Sequence, residues 1–96
     1  MDCSVKLDMV GKRFTTTVDG KEGYLQFRQI SPHVFDLNYI NVHEDLRGRG
    51  VASSLLHNAL IFAQKEHIQI IPGCEFVETY LRKHPEFRCV AWEEAI

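Results

Sequence analysis

Arg47, Gly48, Arg49, Gly50, Val51 and Ala52 form the stretch of this 96-residue chain whose residue types are best suited to holding a ligand. An apolar alternating run precedes them, and a long amphipathic pattern follows from Val51 to about Lys65. That order reads as strand, glycine-bearing loop, helix. Such a turn aims free backbone N–H groups and the positive end of a helix dipole at one spot. A phosphate is its natural occupant. Arg47 and Arg49 add charge beside it, Gly50 lets backbone approach a ligand closely, and Ala52 keeps the first helical turn small. No Gly-Lys-Ser/Thr closes the loop, so it is not a nucleotide P-loop. The preceding strand belongs to an antiparallel set and no ribose-gripping acid follows, so it is not a dinucleotide fingerprint. The plainer alternative is a helix start with two solvated arginines.

Two further side chains could do covalent or acid–base work. Cys74 follows a short apolar run and precedes a second helical pattern, so it sits at a helix start, where the dipole favours an anion. A cysteine there can take an acyl group or position an amine; a free cysteine also often only packs. Tyr80, six residues on, returns to roughly the same side of the helix only after nearly two turns and reads by itself as a packing tyrosine with a satisfied hydroxyl. His43, Glu44 and Asp45 read as loop and helix-start residues rather than a cluster of bases. His84 reads as a cap or packing residue, and His33 and His67 as surface residues.

The elements that must position these residues follow from periodicity. Ser4 to Met9 alternates Val5, Leu7 and Met9 against Lys6 and Asp8, as a half-buried strand does. A turn at Gly11-Lys12 leads to a strand from Arg13 to Val18. Asp19-Gly20 is a hairpin turn signal, and the strand Gly23 to Ile30 follows. Ser31-Pro32-His33 turns the chain into the strand Val34 to Val42, with Phe35, Leu37 and Tyr39 expected on one face and Asp36, Asn38 and Ile40 on the other. A helix is expected from about Arg49 to Glu66, with Val51, Leu55, Ala59 and Phe62/Ala63 facing the sheet. Ile68 to Ile71 suits a buried strand, parallel to Val34–Val42 because a helical crossover joins them. A second helix is expected over about Glu75 to Lys83, then a terminal turn or two from Pro85 to Trp92. The fold class is α/β: an antiparallel β-meander plus one βαβ crossover and a C-terminal helix, in one domain over residues 1–96.

Composition narrows the function classes. Hydrophobic residues are 45% and charged residues 25%, an ordinary globular balance. A formal charge of −2 gives no general attraction to nucleic acid or an anionic membrane, so an anion site must be local. No apolar run reaches the roughly 18 to 20 residues of a membrane span, and Met1-Asp2-Cys3-Ser4 lacks a secretory signal's apolar segment. Three widely spaced cysteines argue against a disulfide framework or a zinc site, so the expected home is the cytoplasm and the expected metal is none.

The loop resembles motif A of the GNAT superfamily of acyl-CoA-dependent N-acetyltransferases. The small single-domain subfamily pairs an E-L-R-G-x-G-I-A/G loop with a V-I-P-x-C-P-F-V-x-x-Y-I-x-x-H-P-E-Y segment. This chain has Asp45-Leu46-Arg47-Gly48-Arg49-Gly50-Val51-Ala52, then Ile70-Ile71-Pro72-Gly73-Cys74-Glu75-Phe76-Val77 and Tyr80-Leu81-Arg82-Lys83-His84-Pro85-Glu86-Phe87. Arg13-Phe14 and Asp19-Gly20 stand where the subfamily has R-F and D-G, so the resemblance covers nearly the whole chain. It implies a minimal GNAT fold with an acetyl-CoA site along a split between two parallel strands. By that resemblance the backbone of Asn41 and Val42 bonds the pantetheine arm and thioester carbonyl, and the N–H groups from Arg47 to Ala52 cradle the pyrophosphate. It also implies that Tyr80 protonates the departing thiolate and that Cys74 is a functional residue.

Two departures stand out. Tyr39-Ile40-Asn41-Val42 replaces the subfamily's H-T-E-V, removing a histidine and a glutamate beside the thioester. Glu75 replaces the proline after the cysteine, placing an acid next to the thiol. The turn at Gly11-Lys12 also omits the helices that wall the acceptor site in longer superfamily members, so an open, shallow acceptor site is expected. The expected activity is acetyl transfer from acetyl-CoA to an amine of a small molecule, polyamine or protein, by a monomer or weak homodimer. The alternative is a CoA- or acyl-CoA-binding protein with little turnover; a weaker one makes the two arginines a docking patch for another anionic partner.

Overall fold

A computed structural model describes residues 4–91. Five strands form one sheet in the order β1-β2-β3-β4-β5: β1 Val5–Asp8, β2 Arg13–Val18, β3 Lys21–Ser31, β4 Val34–Val42 and β5 Gln69–Pro72. The first four pair antiparallel and β5 pairs parallel to β4, as the helical crossover requires. The crossover is helix α1, Val51–Glu66; helix α2, Glu75–Lys83, follows β5, and a 3₁₀ helix, Pro85–Val90, follows α2. A single bridge from Ala91 to Ile70 returns the chain to the sheet, while Trp92 lies outside the described residues.

One core joins these elements. Phe14, Leu25, Phe27, Phe35 and Leu37 from the sheet meet Val51, Leu55, Leu56, Ala59 and Leu60 from α1, with Val77 and Phe87 closing one end. Truncating one of the fully buried leucines, such as Leu55, should cost roughly 2–5 kcal/mol, a large share of the stability of so small a domain. The opposite face of the sheet is polar and open, with exposed Lys6, Gln26, Arg28 and Asn41. An antiparallel sheet tolerates this arrangement, because one face can remain in water.

Two expectations are corrected. First, α1 begins at Val51 rather than Arg49. Gly50 has φ 80° and Gly48 φ 78°, a left-handed backbone incompatible with a continuing right-handed helix. Second, β4 does not alternate in one phase. Gln26 pairs with Tyr39 while the next residue, Phe27, pairs with Leu37, which leaves Asn38 as a β-bulge. The extra residue exchanges the faces beyond it. Ile40 and Val42 therefore pack against the core, and Tyr39 is 49% exposed.

Candidate active site

Parallel pairing between β4 and β5 covers only Val34–Leu37 against Gln69–Pro72. From Asn38 to Val42 the β4 edge facing β5 has no strand beside it, so the two strands part at the bulge. Gly73 marks the parting point: a Cβ there would run into the Asp36 carboxylate, so only glycine lets β5 pass this close before the chain turns away. The side-chain oxygens Asp36 Oδ1 and Asn38 Oδ1 are buried there without a hydrogen-bond partner among the described residues.

At its far end β4 feeds the glycine loop. His43 caps a 3₁₀ turn over Glu44–Leu46, its Nδ1 accepting from the Asp45 N–H at 3.1 Å. This accounts for His43 and Asp45 as structural loop residues, since Asp45 also pairs with Lys21 at 3.7 Å. Leu46 is fully buried and anchors the loop from beneath. Two loop amides are used internally: Arg47 N–H donates to Glu44 O at 3.2 Å, and Arg49 N–H to Leu46 O at 3.3 Å. The first helical bond of α1 runs from Ser54 N–H to Gly50 O. The N–H groups of Gly48, Gly50, Val51, Ala52 and Ser53 find no acceptor among the described residues. Of the amides from Arg47 to Ala52 expected to form a cradle, those of Arg47 and Arg49 are used inside the loop, those of Gly48, Gly50, Val51 and Ala52 are free, and Ser53 adds another.

These amides line a cavity of about 270 Å³ floored by Val42, Leu46 and Val51. A Cβ on Gly50 would meet nothing within 4 Å, so this residue is glycine for its backbone angle and faces open space. The arginines differ. Arg47 reaches back, its Nε donating to Val42 O at 3.4 Å, while the Arg49 guanidinium bonds Asp19 Oδ2 at 3.1 Å. Arg49 therefore contributes less free charge than its position suggests, and the Val42 carbonyl already has a donor. Asn41, opposite Tyr24 in the sheet register, is exposed on the outer face.

Cys74 caps α2 and Tyr80 lies within it, and the two line separate cavities that adjoin at Thr79. Cys74 is the N-cap of α2 with an extended backbone, φ −138° and ψ 158°, and its thiol makes no cap bond. Half buried, it packs on the edge of the core and lines a polar cavity with Glu75, Glu78 and Arg82. Tyr80 lines a different cavity, with Ser53, Phe76 and His84. Ser53 also lines the loop cavity, so the amide cradle and the Tyr80 cavity adjoin at one residue.

Tyr80 is held firmly. Its ring stacks on His84, with centroids 3.9 Å apart at 16°, and the His84 Nδ1–H donates to the Tyr80 carbonyl at 2.9 Å. Its hydroxyl lies 3.4 Å from His57 Nδ1 on α1. Burial, then the negative charge of Glu86, raises the Tyr80 pKa above its usual value, so the phenol stays protonated at neutral pH. Sequence reasoning missed His57. It lies four residues after Ser53, and so on the same side of α1 as that cavity-lining residue; only the packing of α2 onto α1 reveals the contact.

The outer face near the split offers Tyr24 and Tyr39, ring centroids 6.1 Å apart, with the Arg13 guanidinium 5.2 Å over Tyr24. The β1–β2 connection is a tight turn, with Gly11 N–H bonded to Asp8 Oδ1 at 2.9 Å, so no helix intervenes to cover this face.

Comparisons with known proteins agree with this architecture. A family model described as GCN5-related N-acetyl-transferase matches residues 13–90. Protein NATD1 of Gallus gallus is 26% identical over 83 residues, covering 84% of this chain and 76% of that protein. Protein NATD1 of Homo sapiens is likewise 26% identical, with 84% and 74% covered. The solution structure of a GCN5-like putative N-acetyltransferase from Staphylococcus aureus superposes with a TM-score of 0.70 at 21% identity, over 95% of this chain and 91% of that one, a likeness of fold. With the sheet, the split after Leu37 and the amide-lined loop already in place, the match over residues 13–90 decides the family: this chain belongs to the GCN5-related N-acetyl-transferases.

Proposed function

We propose that the protein binds acetyl-CoA and transfers its acetyl group to an amine. The observation that carries this reading is the set of free amides at Gly48, Gly50, Val51, Ala52 and Ser53 around one cavity, at the end of the strand that parts from its neighbour. A pyrophosphate offers the acceptor oxygens those donors need, and the positive end of α1 favours its charge. The fit is supported from the other end by the open side of β4 over Asn38–Val42, where an amide-bearing arm could pair as a strand would. When bound, acetyl-CoA supplies an activated acyl thioester. In this reading the chain's own residues bind and orient that group, and the Tyr80 hydroxyl, protonated at neutral pH, is the proton donor for the sulfur leaving group. The open sheet face with Tyr24 and Tyr39 is the approach for the acceptor amine.

A thermal-shift titration tests binding. Millimolar acetyl-CoA should raise the melting temperature, and no shift at that concentration would remove both CoA-based readings. A CoA-release assay across small amines, polyamines and lysine peptides then tests turnover. For the covalent route, mass spectrometry after incubation with acetyl-CoA should find a single acetyl on Cys74. An unmodified chain, with activity unchanged in Cys74→Ser, would exclude a Cys74 thioester.

A second reading, acyl-CoA binding with little turnover, is favoured by one specific observation. Cys74 and Tyr80 open into different cavities, and Tyr39 and Asn41 stand where the subfamily has its histidine and glutamate. Binding without CoA release for any amine class would select it.

A further inference from the structure

The tip of the β2–β3 hairpin touches the glycine loop and the turn leading into it at three points. Arg49 of the loop pairs with Asp19 of the hairpin at 3.1 Å. Lys21, on the other side of the two-residue turn, pairs with Asp45 of the loop at 3.7 Å. Next to the second pair, the His43 N–H donates to Glu22 O at 3.2 Å. The two ion pairs have opposite polarity: the hairpin gives one anion and one cation, and the loop answers with one cation and one anion. A loop shifted along the hairpin in either direction would face like with like, so the arrangement selects one position.

The turn itself is built for this. Asp19 has φ 52° and Gly20 φ 75°, the two left-handed residues of a type I′ hairpin turn. Such a turn admits few residue types at its first position, and of these aspartate also carries a charge for Arg49. Buried Leu46 and the internal bonds of Arg47 and Arg49 hold the first part of the loop, while Gly48 and Gly50 leave the backbone permissive where it meets α1.

We infer that the β2–β3 hairpin tip is a positioning clamp for the phosphate cradle, with Asp19 and Lys21 fixing the loop from Asp45 to Arg49 in its ligand-ready shape without touching the ligand. The inference rests on the CoA reading for its consequence, and on the ion pairs alone for the clamp. Exposed ion pairs are individually weak, so each contributes a modest factor, and the two act together on a loop that ligand binding would otherwise have to order.

The test uses the full chain and CoA itself. Asp19→Asn is the decisive variant, because asparagine keeps the left-handed turn and loses only the charge; Lys21→Gln removes the second pair. By calorimetry at low salt, each variant should weaken CoA binding by about threefold and the double variant by roughly five- to tenfold. The melting temperature should change little. The difference from wild type should vanish near 0.5 M salt, where screening shortens the Debye length to roughly 4 Å; a hairpin that had merely unfolded would not recover. Independently of CoA, amide exchange at Arg47 and Arg49, whose N–H groups are bonded within the loop, should quicken in the double variant by about threefold or more. Equal or tighter CoA binding in both single variants, or unchanged loop exchange in the double variant, would overturn the clamp. A wild-type chain that takes up no CoA, while loop exchange still quickens in the variants, would overturn the CoA reading and leave the clamp standing.

Discussion

The glycine loop and helix α2 flank the same end of the sheet, yet they are built on opposite principles. The loop acts through backbone: five free amides, two left-handed glycines and a helix start, with side chains mainly holding the loop in place. Helix α2 acts through side chains, and these are committed to their neighbours: Tyr80 to His57 and His84, Cys74 to the edge of the core. Backbone recognition tolerates sequence drift, because most residues supply an N–H. Side-chain chemistry does not tolerate it, and this is where the chain departs from the subfamily, at Tyr39, Asn41 and Glu75. Under the proposed function, binding and turnover can therefore be lost separately.

The largest effect should come from Gly50→Glu. A side chain at φ 80° is strained, and its carboxylate would sit in the cradle, so CoA affinity should fall by at least about thirtyfold by calorimetry. Affinity within threefold of wild type would erase the contrast between the two regions. Next, Tyr80→Phe should lower the rate of CoA release by about a hundredfold while the dissociation constant for CoA stays near wild type. A fall in affinity without a fall in rate would reassign Tyr80 to binding. A smaller effect is expected for Arg47→Gln, about three- to fivefold in CoA affinity, reduced as salt is raised; no salt dependence would place Arg47 outside the phosphate field.

The smallest effect is on stability at high pH. Tyr80 has a raised pKa, so above pH 10 the unfolded chain loses this proton before the folded one does. The unfolded state then binds fewer protons, and stability falls as pH rises through that window. Tyr80→Phe should flatten the fall; an identical slope in denaturation from pH 9.5 to 11.5 would mean that the hydroxyl is not desolvated.

Strong periodic signals made most of the architecture legible. The strand and helix positions, the parallel placement of β5 and the anion-ready loop all follow from residues close together in sequence. The bulge at Asn38 was legible in principle, since Phe35 and Leu37 are odd-numbered while Ile40 and Val42 are even-numbered, a slip of one residue in the apolar phase. Reading the run as a single phase placed Tyr39 on the wrong face. The Asp19–Arg49 pair joins residues 30 apart, and the Tyr80–His57 contact joins residues 23 apart. Neither has a local signature, because each depends on how a hairpin or helix packs after folding. The resemblance placed Cys74 and Tyr80 in one functional set, and only the packing of α2 shows that they face different cavities.

The parting of β4 from β5 after Leu37 also bears on how copies of the chain behave toward one another. Asn38–Val42 presents a short raw sheet edge, and such edges template association with any other extended chain. A ligand whose arm lies along that edge would serve as its cover as well as its cargo. Ligand-free protein should then be the form most prone to pair edge to edge at high concentration, and saturation with CoA should keep the molecules apart.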